Sequence, residues 1–255
     1  SDVCSSDLNW QDMALPQFCN LLQEYGELML SLPDHCFTLL KLCHSANQQL
    51  GLVLQIASQE GVSWSEHCAQ AEREIDGLQK RFASIAPSAR LAKPLGGHIG
   101  RMHSVPASAE AQHLTYLEAL QTLNGSGPNQ FGKYKSAYMK KGFPREQMEA
   151  IHHWLQVVPP GLQANEMAAS LVQVDSYGGA INRLAAEATA VPQRSSIMKL
   201  QYQTYWNNDS APGESRRRPY SAQQEAHLQW INGLYRDVYA AYGGTPDPAQ
   251  DCDGV

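Results

Sequence analysis

The segment between residues 171 and 206 constrains the fold most, because its polar and apolar side chains alternate with a period of two. Successive side chains of a strand point to opposite faces of a sheet. The pattern therefore predicts a strand over residues 171–176, a glycine turn over 177–180 and a return strand over 197–206. One face of this pair then carries six polar side chains: Gln173, Asp175, Lys199, Gln201, Gln203 and Tyr205. Such a face is either the solvated side of an ordinary antiparallel sheet or a binding surface.

The rest of the chain alternates between helical and strand-like patterns. Apolar residues recur at helical spacing over 15–30, and the strand-like runs 36–44 and 50–58 are close enough in sequence to form a hairpin. Further helices are predicted from Ser63 or Ser65 to about residue 82, over 115–123, after Pro144 and over 222–242, with a strand over 131–139. These elements indicate the α+β class: a large antiparallel sheet with helices packed on one face.

Composition excludes several classes of function. Of the 255 residues, 43% are apolar, which is enough to fill a core. The net charge of −6 argues against a nucleic-acid partner, because binding phosphates requires a basic surface. The basic run at 216–218 lies in a loop-like composition and is interpreted as solvated. No apolar stretch approaches the ~20 residues that span a membrane, so no membrane partner is expected.

Metal, nucleotide-loop and hydrolase motifs are not found in the sequence. The six cysteines form no Cys-x-x-Cys pair and have no histidines at zinc spacing, so they are interpreted as buried or free thiols. The adjacent His152 and His153 cannot face one site from a helix. The glycine cluster at 96–100 lacks a preceding strand and a following helix, and no serine lies in a Gly-x-Ser-x-Gly elbow.

The first eight residues do not match the rest of the chain. They have neither the basic start nor the apolar stretch of a signal peptide. We therefore expect residues 1–8 to be a non-native or disordered leader and residues 9–255 to form a single domain.

Several runs taken together resemble a known family: residues 126–130, 133–138, 174–182, 188–194 and 199–206. In their order and spacing they resemble the substrate domain of the berberine-bridge-enzyme-like flavin oxidases. This group belongs to the vanillyl-alcohol-oxidase superfamily and includes glucooligosaccharide oxidases and aclacinomycin oxidoreductase. The resemblance covers most of residues 9–254.

The resemblance implies a fold, a cofactor and a reaction. Residues 9–255 would be a substrate-binding domain, with FAD bound mainly by a domain that precedes Asn9. The reaction would oxidise an alcohol to a carbonyl with oxygen as acceptor, on a sugar or a glycosylated, polyketide-like substrate. The parent protein would be an enzyme and this chain alone would be inactive. The alternative is a standalone α+β ligand-binding or interaction domain without redox activity. Oligomeric state and localisation stay open.

The resemblance also assigns roles to residues of the polar face. Asp175 matches a catalytic aspartate that hydrogen-bonds to a tyrosine base, and that tyrosine is expected beyond Val255 in a Tyr-x-Asn-Tyr motif. Gln173 and Gln201 match substrate contacts, while Lys199 and Tyr205 join the pocket by strand alternation. Two alternatives remain: the aspartate caps the glycine turn, and the glutamines form a cross-strand amide ladder.

Overall fold

The chain folds into an antiparallel sheet backed by helices in the computed structural model, which describes residues 2–85, 90–91, 112–119, 131–206, 221–250 and 252. The strands are β1 (Asp2–Asn9), β2 (Cys36–Cys43), β3 (Gln49–Ile56), β4 (Arg90–Leu91), β5 (Gln112–His113), β6 (Phe131–Met139), β7 (Leu171–Ser176) and β8 (Met198–Trp206). The longer helices are α1 (Leu15–Ser31), α2 (Trp64–Ala83), α3 (Arg145–Trp154) and α4 (Ala222–Val238).

The sheet places β2 and β7 at its centre. The strand order is β4-β1-β3-β2-β7-β8-β6, with β5 also paired to β1, and the pairs are antiparallel. The predicted hairpin is present as β2 and β3, which are joined by a 3-10 turn at Ser45–Asn47. The predicted α+β class is confirmed.

One face of the sheet forms the main core beneath the helices. The buried side of α1 carries Phe18, Leu21, Leu22, Tyr25 and Met29, whose spacing matches the helical repeat. These side chains share a single cluster with the apolar residues of β7 and β8 and with the buried faces of α3 and α4. Fully burying one such side chain contributes about 1.5–3 kcal/mol, so this face anchors the central strands.

The helix boundaries follow local signals in the sequence. Ser63 and Glu66 form a capping box at the start of α2, and Pro144 is the N-cap of α3. Helix α4 ends at Val238, four residues earlier than the pattern predicts, and a 3-10 turn covers Ala240–Tyr242. Gly243 and Gly244 follow with φ of 79° and 91°, conformations that favour glycine and end the helix.

The connection from β7 to β8 is longer than a tight turn. The strands pair directly, with Ser176 opposite Met198, so the predicted strand and return strand are confirmed. Between them the chain makes a 3-10 helix at Gly179–Arg183 and then a long loop. Gly178 and Gly179 adopt φ of 101° and 56°, and a Cβ at Gly179 would lie 2.5 Å from Asp34 Oδ1. Both positions therefore require glycine.

The N-terminal segment is part of the sheet. Strand β1 pairs with β3 along its full length, from Asp2 opposite Ile56 to Asn9 opposite Gln49. The expected disordered leader over residues 1–8 therefore does not describe residues 2–8. The physical reason is that main-chain hydrogen bonds to β3 do not depend on side-chain identity, so an unusual sequence can still add a strand. The non-native origin of the segment stays a prediction.

Some predicted features lie outside the described residues: the basic run 216–218, the glycine cluster 96–100 and the motif run 126–130. The predicted helix over 115–123 is described only as far as residue 119.

Candidate active site

The strand register arranges the polar face in rows across the centre of the sheet. The first row runs Lys41, Gln173, Gln201 and Ser136 across β2, β7, β8 and β6. The second row runs Leu39, Asp175, Lys199 and Tyr138 across the same strands. Directly opposite residues of antiparallel strands point to the same face, so the predicted polar set does lie together.

Much of this face is buried within the chain. Gln173 is 6% exposed, Gln203 3% and Tyr205 8%, while Asp175, Lys199 and Gln201 are partly buried. At the β2–β3 side, Leu39 and Val53 form a small apolar cluster with Ala119, so residues from outside the sheet cover it there. The solvated-face interpretation is therefore wrong for Gln173, Gln203 and Tyr205. Polar groups buried on a sheet need partners, and most of them are found within the face.

The Asp175 carboxylate accepts hydrogen bonds on both of its oxygens. Gln173 Nε2 donates to Oδ1 at 2.8 Å, and Gln201 Nε2 donates to Oδ2 at 3.1 Å. These donors come from the same strand and from the neighbouring strand, so two strands fix the orientation of the carboxylate. Both bonds favour the charged form, which accepts hydrogen bonds more strongly than the neutral acid.

A directed series of hydrogen bonds leads to this carboxylate from the sheet edge. The Tyr134 hydroxyl donates to the Tyr205 oxygen at 2.8 Å, and Tyr205 donates to Gln203 Oε1 at 2.7 Å. Gln203 Nε2 then donates to Gln201 Oε1 at 3.3 Å. Each donor points toward Asp175, so the amide of Gln201 is oriented with its nitrogen facing the carboxylate.

Electrostatics in the site reflect competition between burial and charge. Burial raises the pKa of Asp175, while the hydrogen bonds from Gln173 and Gln201 and the charges of Lys199 and Lys41 oppose that increase. Burial lowers the pKa of Lys41, which the charge of Asp175 partly offsets. Burial, and then the charge of Asp175, raises the pKa of Tyr138. The titratable groups of this face therefore interact with Asp175 at their centre.

The hydrogen bonds of Asp175 are not those of a cap on the glycine turn, and its catalytic role stays a prediction. Its described hydrogen bonds come from two glutamine side chains, whereas a turn cap would accept from backbone N–H groups of residues 177–179. The glutamines do not form a simple ladder either, because only Gln203 donates to another amide and the other two donate to the carboxylate. Tyr205 lies on the predicted face, but its hydroxyl is engaged by Gln203 and Tyr134.

Sequence reasoning missed Lys41 and gave no role to Tyr138. Lys41 is 3% exposed and stands directly opposite Gln173. The available signal was a single charged residue in the largely apolar run of β2, but only the pairing of β2 with β7 places it here. Tyr138 lies opposite Lys199, and its ring packs edge-on against Tyr177 with centroids 5.2 Å apart.

The site also has one unused acceptor. Gln173 Oε1 is buried and has no hydrogen-bond partner among the described residues. No group of histidine, cysteine, aspartate and glutamate side chains in the described ranges could hold a metal ion. No helix in the described part of the chain is both long and apolar enough to cross a membrane.

Comparison with known proteins relates this site to a family of oxidoreductases. No protein-family model matches the chain. Hexose oxidase from Chondrus crispus is 33% identical over 265 residues, an alignment that covers 96% of this chain and 45% of that protein. Berberine bridge enzyme-like 17 from Arabidopsis thaliana is 39% identical over 117 residues, covering 45% of this chain and 17% of that protein. The chain thus spans less than half of the length of these curated relatives.

A solved structure also shares the fold of this chain. The crystal structure of CrmK, a flavoenzyme involved in shunt product recycling in caerulomycin biosynthesis, superposes with a TM-score of 0.74 at 22% identity. The superposition covers 99% of this chain and 44% of CrmK. At that identity the match establishes the fold, and the sequence relatives establish the family. Over the part of those proteins that it spans, the chain belongs to the berberine-bridge-enzyme-like FAD-linked oxidoreductases.

Proposed function

We propose that the chain is the substrate-binding part of an FAD-dependent oxidase that converts an alcohol to a carbonyl, with oxygen as the electron acceptor. The substrate is a sugar or a glycosylated, polyketide-like molecule. The observation that supports this most is the Asp175 carboxylate, oriented by two amide donors at the centre of a largely buried polar face. The hexose oxidase relative is consistent with a sugar substrate.

The proposed role of Asp175 is to accept a hydrogen bond from the group that removes the hydroxyl proton of the substrate. Oxidation of an alcohol requires a base for that proton while hydride leaves the carbon. The family resemblance assigns the base to a tyrosine outside this chain, and the Asp175 carboxylate would accept a hydrogen bond from that phenol and orient it toward the substrate. When bound, FAD supplies the hydride acceptor.

Neighbouring side chains are proposed to position the substrate. Gln173 Oε1 is a buried acceptor that a substrate hydroxyl can satisfy. Lys199 stands opposite Asp175 and can donate to a substrate oxygen. Gln201 orients the carboxylate, and Tyr205 acts through Gln203 to fix the direction of that amide.

The described residues suit only part of an FAD molecule. The donors of Lys199, which is only half-buried on the polar face, suit the polar edge of an aromatic ring system. A pyrophosphate would need a cluster of backbone N–H donors or a basic cradle, and the polar face in its described extent offers neither. We therefore propose that most of the FAD contacts come from another part of the parent protein and that this chain alone is inactive.

An expression experiment tests the proposal. The parent reading frame, extended in both directions, is expected to show a visible flavin absorption band and to produce hydrogen peroxide with D-glucose or a glycoside. Asp175→Asn is expected to retain the flavin band and lose at least ~100-fold in kcat. Asp76→Asn, on the exposed surface of α2, is the matched control and should keep wild-type activity.

Two outcomes would contradict the proposal. A colourless full-length protein would favour the standalone binding domain over the oxidase. A coloured protein whose Asp175→Asn variant turns over as fast as the wild type would keep the family assignment and remove Asp175 from the mechanism.

The 255-residue chain, purified alone and supplied with FAD, is expected to show no turnover.

A further inference from the structure

Lys41 is a lysine of the polar face to which the proposed function gives no role. It lies in β2 at the centre of the sheet and is 3% exposed. Along the same face of its strand it is flanked by Leu39 and Cys43, which are also buried. Among the described residues, none of the hydrogen bonds or ion pairs uses the Lys41 ammonium. Its three N–H donors are therefore open to a bound molecule, and its charge interacts with that of Asp175.

The residue opposite Lys41 has a complementary unused group. Gln173 pairs with Lys41 in the β2–β7 register, and opposite side chains of antiparallel strands start about 4.5–5.5 Å apart at Cβ. The Nε2 group of Gln173 is engaged by Asp175, but its Oε1 is buried without a described partner. A donor group and a buried acceptor, both without a described hydrogen-bond partner, therefore occupy facing positions on neighbouring strands, close to the proposed catalytic carboxylate.

We propose that Lys41 is a specificity-determining residue, and that its ammonium and Gln173 Oε1 together bind one hydroxyl group of a neutral sugar. This inference rests on the proposed function and narrows its substrate class. A hydroxyl oxygen accepts from Lys41 while its hydrogen donates to Gln173 Oε1, so one group satisfies both residues.

Other substituents satisfy the pair less well. A carboxylate accepts from Lys41 but has no hydrogen for Gln173 Oε1, and it meets the negative charge of Asp175 nearby. A carbon without a hydroxyl leaves the Lys41 ammonium and the buried Gln173 acceptor without that partner, which a site built to bind a hydroxyl discriminates against strongly. The pair therefore selects a sugar with a hydroxyl at one defined position over the corresponding deoxy sugar and over an acidic sugar.

The test compares D-glucose with its 2-, 3-, 4- and 6-deoxy analogues on the FAD-loaded parent protein. For the wild type, kcat/KM is expected to fall about 10- to 100-fold for one of the analogues. Lys41→Met has a similar volume without the donor, and it is expected to lower kcat/KM for D-glucose about 10- to 100-fold while losing discrimination at that position. Lys80→Met, at an exposed lysine of α2, is the matched control and should keep the wild-type pattern.

The outcomes separate this inference from the oxidase proposal. If Lys41→Met keeps the wild-type discrimination, or loses activity equally on all five sugars, Lys41 does not determine specificity and the inference is overturned. Binding of the same sugars, measured by saturation-transfer NMR, gives a readout that does not need turnover. Binding of D-glucose that depends on Lys41 but is not followed by oxidation would support the inference and contradict the oxidase. A wild-type protein that binds none of the sugars would overturn the inference.

Discussion

The Tyr25 hydroxyl donates a 2.9 Å hydrogen bond to the main-chain carbonyl of Val174, the residue that precedes Asp175. Because the single phenol hydrogen goes to Val174, the Thr38 hydroxyl donates to the Tyr25 oxygen, also at 2.9 Å. Helix α1 is thereby tied to β7 from the core side, directly beneath the proposed active-site carboxylate. The polar network on one face of the sheet depends on a strand that the other face holds in place.

Tyr25→Phe is expected to destabilise the protein. The ring still fills its fully buried site, but the carbonyl of Val174 and the hydroxyl of Thr38 each lose a partner inside the core. The free energy of unfolding should fall by about 1–3 kcal/mol, measured by urea denaturation. Tyr116→Phe removes a hydroxyl from a residue that is 68% exposed, and it should change the free energy of unfolding by less than about 0.5 kcal/mol. Equal effects of the two substitutions would contradict the buried role of Tyr25.

The polar face could be predicted from the sequence because side-chain alternation is a local property. Gln173 and Asp175 share a face for any register, and so do Lys199 and Gln201. The position of Lys41 beside Gln173 could not be predicted, because it depends on β2 pairing with β7, more than 100 residues further along the chain. Non-local pairing of this kind leaves no periodic signal.

Burial of the polar face was likewise not predictable. Alternation of polar and apolar residues is typical of a solvated sheet face, and the pattern is the same when other segments cover that face. In the structure Gln203 and Tyr205 are buried, Tyr205 donates to Gln203, and Gln203 donates to Gln201. Strand β1 could not be predicted for a related reason: its sequence has no alternation of polar and apolar residues, and only its backbone pairing with β3 identifies it as a strand.

Tyr205→Phe is expected to cost stability through Gln203. Without the phenol, the buried Gln203 Oε1 loses its donor, and the free energy of unfolding should fall by about 1–3 kcal/mol. Tyr134→Phe removes the preceding hydroxyl, which lies on a 54% exposed residue and donates only to Tyr205, so its effect should be below about 0.5 kcal/mol. The measurement is thermal unfolding of both variants. A Tyr205→Phe variant with unchanged stability but an altered KM would instead indicate direct contact with the substrate.

Asp175→Asn is expected to change how stability depends on pH. Burial raises the pKa of Asp175, so the folded state binds its proton more tightly than the unfolded state does. The stabilising contribution of the Asp175 proton is fully present below the ordinary pKa of an aspartate, about 4. It is lost as the pH rises through the raised pKa of the folded state. Asparagine does not titrate, so Asp175→Asn does not lose this stability as the pH rises. The difference in Tm, variant minus wild type, should therefore increase from acidic to neutral pH. Scanning calorimetry across that range measures the difference, and a Tm difference that decreases with pH would contradict the raised pKa.

Gly233→Ala is expected to disrupt the packing of α4 on α3, whereas Gly77→Ala in α2 is expected to be tolerated. A Cβ at Gly233 would lie 2.3 Å from Trp154 Cη2, while a Cβ at Gly77 would have no heavy atom within 4 Å. Trp154 cannot move freely, because its indole N–H donates to Asp237 and its carbonyl accepts from Trp230. Overpacking should therefore cost about 1–3 kcal/mol at Gly233, whereas replacing a helical glycine without a clash should add about 0.5–1 kcal/mol at Gly77. Urea denaturation of the two variants compares the same added methyl group in two helices.

Because α4 and β8 share one core cluster, loss of the α3–α4 contact is also expected to loosen the strand that carries Lys199 and Gln201. Faster amide hydrogen exchange at these two residues in Gly233→Ala than in Gly77→Ala would show that coupling, and equal exchange would contradict it.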